Sequence, residues 1–158
     1  MAEEVKTIKT KKAVKRDYTY AVGRRKSAVA RVRLYSHVKE DAKWGEEEIK
    51  KEQILVNGMP IEKYFFGPVA KALYMKPFVV TKTEGKYAVT VKVAGGGNSG
   101  QLDAFIQGVA RALSSIDTVK FRPLLKKEGL LTRDARVRQR RMVGTGGKAR
   151  RKKQSPKR

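Results

Sequence analysis

The last 21 residues of the chain, RQRRMVGTGGKARRKKQSPKR at 138–158, place the strongest constraint on what it can fold into. They contain ten Lys or Arg residues, three glycines and no Asp or Glu. Their apolar side chains, those of Met142, Val143 and Ala149, are too few to offset the entropy lost on ordering the backbone. We therefore expect this segment to lie outside any core and to be disordered alone in water. It is typical of a chain that binds a polyanion, most often nucleic acid and sometimes an anionic membrane; the alternative is a solvated tail that only aids solubility.

Positive charge is in excess along the whole chain of 158 residues, which has 38 Lys and Arg against 15 Asp and Glu and a formal net charge of +23. Residues 135–158 contain eleven basic and no acidic residues, so they contribute +11 of this charge. The length suits one domain with appendages. We divide the chain into a basic amino-terminal extension over 1–17, expected to be flexible, a globular domain over 18–134, and an extended Arg- and Lys-rich tail over 135–158.

Several classes of function are disfavoured by what the sequence lacks. It has no cysteine, which excludes disulfides, thiolate metal sites and cysteine nucleophiles and fits a reducing compartment. His37 is the one histidine, and we interpret it as a surface loop residue rather than a catalytic or metal-binding one. Residues 1–17 lack the apolar segment of a signal peptide, and no stretch reaches transmembrane length. We expect no cofactor, no metal, and a cytoplasmic location.

A cationic β-hairpin is predicted over residues 18–35, YTYAVGRRKSAVARVRLY, with its turn at Gly23 to Lys26. In its second strand Ala28, Ala30, Val32 and Leu34 share one face and form the core side. The other face then has Val29, Arg31, Arg33 and Tyr35. Three consecutive cations in a turn are often merely solvated, but Arg31 and Arg33 nearby favour a surface that faces phosphates.

The middle of the chain is predicted to hold a charged insertion and short elements. Residues 36–53 alternate in charge, and we expect a loop or a partly helical insertion there. Its cluster Glu46–Glu48 is interpreted as a solvated, self-paired face rather than a divalent-ion site. A short strand, a turn at Asn57–Gly58 and a short segment led by Pro60 should follow. GPVAKALYM is a short helix candidate with Pro68 near its first position.

A second hairpin and two helices are predicted in the rest of the domain. FVVTKTEGKYAVTVKVAG at 78–95 should turn at Glu84–Gly85, with Tyr87, Val89, Val91 and Val93 on one face. Apolar residues at helical spacing over 98–116 indicate an amphipathic helix against a sheet, with Asn98 or Ser99 as its N-cap. A second helix within 121–137 should end near Gly129.

The triple glycine at 95–97 precedes this helix and raises the possibility of a phosphate loop. No Lys-Ser or Lys-Thr pair follows it, as a Walker motif requires. We therefore interpret the three glycines as residues that allow a tight turn or a close approach to RNA. Two alternatives to a specific RNA-binding protein remain. The first is a general nucleic-acid packaging or RNA-chaperone protein, and the second, ranked below it, is a small phosphotransferase that uses residues 95–100.

Five blocks of the sequence together resemble one family: the ninth protein of the small ribosomal subunit, the universal S-nine family, in its bacterial form. The blocks appear in the family's order and span residues 18–158. They are YAVGRRKSAVARV, VNGMPIEKYF, VKVAGGGNSGQLDAFIQGVARAL, LLKKEGLLTRDAR and the basic tail ending in Lys157-Arg158. Any one block is weak evidence, whereas the ordered set is specific.

The resemblance implies an α+β fold, a mixed sheet of about four strands packed by two main helices, with an unusual left-handed βαβ crossover. It implies a structural rather than enzymatic role in translation, with the domain on 16S-type rRNA in the subunit head. The tail should extend toward the tRNA in the peptidyl site. Neighbouring head proteins are further expected partners; a membrane or a small-molecule substrate is not.

The expected functional residues fall into two groups. Residues expected to bind rRNA are Arg24, Arg25, Lys26, Arg31, Arg33, Arg111, Arg136, Arg138, Arg140, Arg141, Lys148, Arg150, Arg151, Lys152 and Lys153. Residues expected to contact tRNA are Lys157 and Arg158. The chain departs from the family's usual ending, Gln-Phe-Ser-Lys-Arg, because Ser155 and Pro156 precede the final cations and the aromatic is absent. The insertion at 36–53 and the extension at 1–17 are also longer than usual.

Overall fold

The computed structural model of the chain describes residues 17–36, 43–44, 47–49 and 52–141. The strands are β1 Thr19–Arg25, β2 Ala28–Tyr35, β3 Lys43–Trp44, β4 Glu47–Glu48, β5 Ile54–Val56, β6 Met59–Pro60 and β7 Ala88–Ala94. The helices are α1 Ile61–Tyr64, α2 Pro68–Thr81, α3 Asn98–Ile116 and α4 Thr118–Lys127. None of the helices in this part of the chain has the length and apolar character needed to cross a membrane.

A mixed sheet of five strands, in the order β1-β2-β7-β5-β6, forms the centre of the domain. All neighbouring strands are antiparallel except β5 and β7, which are parallel and are connected through α1 and α2. The α+β class and the mixed sheet are therefore confirmed, with one strand more than expected. Three helices rather than two are of substantial length, α2, α3 and α4. The left hand of the β5-to-β7 crossover stays a prediction.

The first hairpin is confirmed, but its turn is shorter than predicted. Strand β1 continues through Arg25, and the turn consists of Lys26 and Ser27, with Lys26 in the left-handed region at φ 52°. Gly23 is therefore a strand residue. Its lack of a side chain lets α3 lie directly on β1. A Cβ on Gly23 would overlap the carbonyl oxygen of Ala104 and the amide nitrogen of Gly108.

The second predicted hairpin is wrong in its first half. Residues 78–81 are the last turn of α2, and only β7 is a strand. The helix is favoured because Tyr74, Pro77, Phe78 and Thr81 recur at helical spacing and are all buried on one face. The helix ends where Lys82 adopts the left-handed conformation at φ 53°, and its N–H bonds back to the Phe78 and Val79 carbonyls.

The helix at 98–116 is confirmed and covers the inner face of the sheet. Its buried residues include Leu102, Phe105, Val109 and Leu113, which pack with the inward residues of β2 and β7. The predicted N-cap is wrong: Gly97 occupies the cap position, and no side chain caps the helix. The following helix ends before Gly129, as expected, but begins at Thr118, where the Asp117 side chain accepts a hydrogen bond from the Lys120 amide at 3.0 Å.

The described part of the 36–53 insertion is extended, not helical. Strands β3 and β4 pair with each other in an antiparallel ribbon. Trp44 and Tyr18 pack against a small second cluster of Tyr35, Ile49 and Ala88. Because Tyr35 and Ala88 alternate with core residues of β2 and β7, this cluster lies on the outer face of the sheet, opposite the helices. His37 and Glu46 lie outside the described residues.

Candidate nucleic-acid interface

The outer face of the sheet concentrates cations from three neighbouring strands. The helices cover the inward residues, so the alternate residues of β1, β2 and β7 face away from them. Strand register places Arg31 between Val22 and Lys92. It places Arg33 between Tyr20 and Thr90 in the same way. Arg31 and Arg33, which were expected to bind RNA, therefore lie together on this face.

A groove of about 420 Å³ runs over this face, and we call it the outer-face groove. Tyr18, Tyr20, Arg31, Arg33, Trp44, Thr90 and Lys92 line it. The guanidinium of Arg33 lies 5.1 Å from the centre of the Tyr18 ring, within the range of a cation–π contact. None of these seven lining residues is acidic, so the described lining attracts an anion.

Lys92 and Trp44 were not among the predicted site residues. Lys92 had a usable signal, because the alternation that turns Val91 and Val93 inward turns Lys92 outward. Trp44 had no such sequence signal, because it lies in a charged insertion without periodicity. It reaches the groove only through its tertiary packing with Tyr35 and Ala88.

The three consecutive cations of the hairpin have three different environments. The Arg24 side chain is exposed, while its backbone N–H donates to Gln107 Oε1 at 2.8 Å. Lys26 is exposed in the turn. Arg25 turns the other way: its Nε lies 3.3 Å from Asp103 Oδ2 and its Nη1 lies 2.9 Å from Asp134 Oδ1. Arg24 and Lys26 thus remain available to an anion, whereas Arg25 is engaged within the protein.

Arg25 also binds the backbone of the segment that follows α4. Its Nη1 donates to the carbonyl oxygens of Asp134 and Arg136 at 3.3 and 3.2 Å. The side chain is only 17% exposed. These contacts connect the end of β1, helix α3 and the start of the predicted tail.

Asp134 holds the same segment in a tight local turn. Its carboxylate accepts hydrogen bonds from the backbone N–H of Arg136 at 2.9 Å and from the Arg136 guanidinium at 2.6 to 3.0 Å. The side-chain hydrogen bond from Arg136 is the main reason that the pKa of Asp134 is well below its ordinary value, with the Arg136 amide next and Arg25 contributing least. The same pairing raises the pKa of Arg136.

The remaining predicted cations are divided by what the structure describes. Arg111 is exposed, and its Nη1 donates to the Val22 carbonyl at 2.6 Å, beside β1. Arg136, Arg138, Arg140 and Arg141 are exposed in a stretch without helix or strand. Five predicted rRNA-binding residues and both predicted tRNA-contacting residues lie outside the described residues: Lys148, Arg150, Arg151, Lys152, Lys153, Lys157 and Arg158.

The glycines at 95–97 have a structural explanation in the hairpin next to them. Gly95 and Gly96 have φ values of 72° and 67°, which favour glycine. A Cβ on Gly95 would come within 2.6 Å of the Ser27 carbonyl oxygen. The glycines therefore let the turn between β7 and α3 pack against the hairpin turn. Among the described residues, no group of three or more His, Cys, Asp or Glu side chains is placed to hold a metal ion.

A basic α+β domain with a cationic sheet face and a basic carboxyl-terminal segment is the kind of protein found in ribosomes. Comparison with known proteins agrees: residues 23–158 match the family described as ribosomal protein S9/S16. The chain belongs to this family. It is accordingly a structural constituent of the small ribosomal subunit and not an enzyme.

Three relatives show how far the similarity extends, each named small ribosomal subunit protein uS9. The protein of Solidesulfovibrio magneticus is 43% identical over 131 residues, covering 83% of this chain and 90% of the relative. That of Maridesulfovibrio salexigens is 42% identical over 132 residues, covering 84% and 91%. That of Cutibacterium acnes is 41% identical over 124 residues, covering 78% of this chain and 64% of the relative.

Proposed function

We propose that the protein binds 16S-type rRNA in the head of the small subunit through the outer face of its sheet and its tail over 135–158, and that the end of the tail contacts tRNA in the peptidyl site. It works in the cytoplasm, in contact with neighbouring head proteins. The observation that supports this most directly is the set of exposed cations on the outer face, Arg24, Arg31, Arg33 and Lys92.

Geometry favours this face over the rest of the domain. Neighbouring strands lie about 4.8 Å apart, so cations on β1, β2 and β7 form a patch that is wide enough to reach several phosphates. Arginine suits this role because its planar guanidinium binds two phosphate oxygens at once. Such contacts fix position and orientation on RNA rather than sequence.

Arg25 has a different part in this proposal. Because its guanidinium is already paired with Asp103 and Asp134, it positions the root of the tail instead of binding phosphate. The tail then leaves the domain from a defined place, next to the hairpin turn with Lys26. Arg136, Arg138, Arg140 and Arg141 continue the positive charge from there. Hairpin and tail thereby act on the same RNA.

The first test is the salt dependence of binding to purified 16S-type rRNA. Each neutralised phosphate contributes about 0.7 to 0.9 to the slope of log affinity against log salt. Replacing Arg24, Arg31 and Lys92 together with alanine should lower this slope by about two to three. The measurement is filter binding of the full chain at a series of salt concentrations.

The matched control replaces Lys63, Lys86 and Lys127, three exposed lysines that are not on the outer face of β1, β2 or β7. It removes the same charge and should change the slope by less than one. Equal losses in the two triple variants would show that only net charge matters, as for a general packaging protein. Stoichiometric sedimentation with small subunits after a high-salt wash separates the same two functions.

A further inference from the structure

The outer-face groove is lined by a residue with a buried polar group, the hydroxyl of Thr90. Thr90 is 1% exposed, and its hydroxyl oxygen has no hydrogen-bond partner among the described residues. A buried hydroxyl without a partner costs stability, so most such groups in proteins are satisfied. Thr90 lies opposite Arg33 in the sheet and lines the groove. Thr90 therefore brings an unused donor and acceptor to the wall of the groove.

The groove also offers aromatic rings and cations side by side. Tyr20 is 44% exposed, so its ring is open to a planar partner. Trp44 forms part of the wall, and Arg31, Arg33 and Lys92 supply the charge. A duplex presents phosphates but keeps its bases stacked, and would leave the aromatic rings and the Thr90 hydroxyl unused. An unpaired nucleotide presents a base to stack, polar base edges to hydrogen-bond and a phosphate to pair with a cation.

We propose that the outer-face groove is a binding site for one unpaired RNA nucleotide, whose base stacks on Tyr20, bonds to the Thr90 hydroxyl and leaves its phosphate to Arg31 and Lys92. The volume of about 420 Å³ lies within the range of small-ligand pockets, about 300 to 1,000 Å³. The proposal rests on the proposed rRNA-binding function and deepens it. This part of the surface recognises a bulged or looped nucleotide, whereas phosphate contacts elsewhere hold duplex RNA.

The test uses the full chain and two RNA probes: a single strand of about ten adenylates, and a paired duplex with the same number of phosphates. Trp44 is the chain's one tryptophan, so quenching of intrinsic fluorescence reports binding in the groove itself. Measurements at about 0.5 M salt weaken the electrostatic contribution of the tail. We expect the single strand to quench Trp44 and the duplex to leave its fluorescence nearly unchanged.

Uncharged substitutions separate stacking from phosphate binding. Tyr20→Ala should weaken single-strand binding by about 5- to 150-fold, the usual effect of removing one stacking ring, with an unchanged salt slope. Tyr20→Phe should bind as the wild type does. Thr90→Val should weaken binding by about 2- to 13-fold without lowering the urea midpoint, because it removes a hydroxyl that has no partner in the described part of the chain. Phe66→Ala, at a side chain that is 90% exposed and outside the groove, is the control and should have no effect.

Three outcomes would overturn the proposal: wild-type affinity in Tyr20→Ala, equal quenching by the duplex, or displacement of the single strand by polyglutamate at the same charge concentration. The last would identify an acidic peptide as the occupant. If any one of these outcomes occurs while the wild type still binds 16S-type rRNA with a steep salt slope, the groove proposal alone fails. If the wild type binds no RNA, the proposed function fails with it.

Discussion

Arg25 joins three separate parts of the chain at one guanidinium. It ends β1, yet it contacts Asp103 of α3 and both the side chain and the carbonyl of Asp134 after α4. Since most of its surface is removed from water, these contacts are screened less than those of exposed ion pairs. Arg25 therefore stabilises the point at which the chain leaves the domain.

Replacing this residue should loosen that point of exit. Arg25→Ala removes two ion pairs and two backbone contacts, and we expect a loss of about 1 to 2 kcal/mol in the free energy of unfolding. Trypsin should cleave faster after Arg133. The control is Arg24→Ala, whose exposed side chain should change stability by less than about 0.5 kcal/mol. Equal urea midpoints for the two variants would contradict the role given to Arg25.

The pH dependence of the same segment follows from Asp134. Its folded pKa is depressed, so its contribution is present above the ordinary carboxyl pKa of about 3.9 and is lost only as the pH falls through the lower folded value. We expect carboxyl NMR titration to give a midpoint well below 3.9. Arg136→Ala should move the midpoint most of the way back, and Arg25→Ala much less. A larger effect of Arg25→Ala than of Arg136→Ala would show that Arg25, not Arg136, is the main cause of the lowered pKa of Asp134.

The split among Arg24, Arg25 and Lys26 shows what a local sequence leaves open. The basic cluster and its place in a hairpin could be predicted, because alternation and the charge run are local signals. The inward direction of Arg25 could not, because Asp103 and Asp134 are 78 and 109 residues away along the chain. Where the turn begins decides which cation meets them, and the predicted turn included three residues that belong to β1.

At the scale of elements, the contact between β1 and α3 depends on two glycines facing each other. Gly23 on the strand and Gly108 on the helix leave no room for added atoms: a Cβ on Gly108 would lie 2.6 Å from Val32 Cγ2 and 3.2 Å from the Gly23 nitrogen. Because interiors are close-packed, the helix can shift away only by opening the core.

Gly23→Ala should therefore destabilise the domain by about 1 to 3 kcal/mol, the usual cost of forcing atoms into a packed core, or more because backbone must move. The matched control is Gly100→Ala in the first turn of α3, where an added Cβ makes only ordinary contacts, 3.7 Å from the Arg25 carbonyl oxygen and 3.8 Å from Ala28 Cβ. Urea unfolding of both variants measures the difference. A tolerated Gly23→Ala would mean that α3 does not pack on β1 as closely as described.

Elements whose apolar pattern repeats over many residues of their own sequence were predictable. Elements whose structure depends on contacts with neighbouring elements were not. The hairpin and α3 each repeat an apolar pattern over seven or more residues. Residues 78–81 contain Val79 and Val80, which favour a strand, after Pro77, which suggests a break. Burial of Phe78 and Thr81 beside Tyr74 keeps them helical, and local propensity is too weak to oppose it. The β3–β4 ribbon similarly depends on Trp44 packing on the sheet.

At the scale of the whole molecule, the sheet separates two tasks. Helices α2, α3 and α4 and the inner face supply the core, and the outer face keeps its cations and the Tyr20 ring exposed. The sequence could indicate a basic, aromatic side of β2, because alternation is visible in one strand. It could not indicate the groove, because that requires the order of β1, β2 and β7 and the position of the insertion. Strand order is a property of the assembled sheet.

The tail should separate two contributions to function along its length. Residues 136–153 contain nine of its eleven cations and are proposed to bind rRNA, so their loss should impair incorporation into small subunits. Deleting only Lys157 and Arg158 leaves those cations in place and should spare assembly. At the peptidyl site the two cations would meet tRNA phosphates, and charge-assisted hydrogen bonds contribute about 1.5 to 3 kcal/mol each before solvent competition.

We expect the two-residue deletion to weaken tRNA binding at the peptidyl site by about three- to a hundredfold, because codon pairing and rRNA contacts remain. The measurement is filter binding of tRNA to purified subunits at matched salt. Substituting glutamine for Lys157 and Arg158 is the matched control for chain length, since it removes the charges alone and should cause the same loss. If both variants keep wild-type affinity, the pair does not contact tRNA, and Ser155 and Pro156 direct the end of the chain elsewhere.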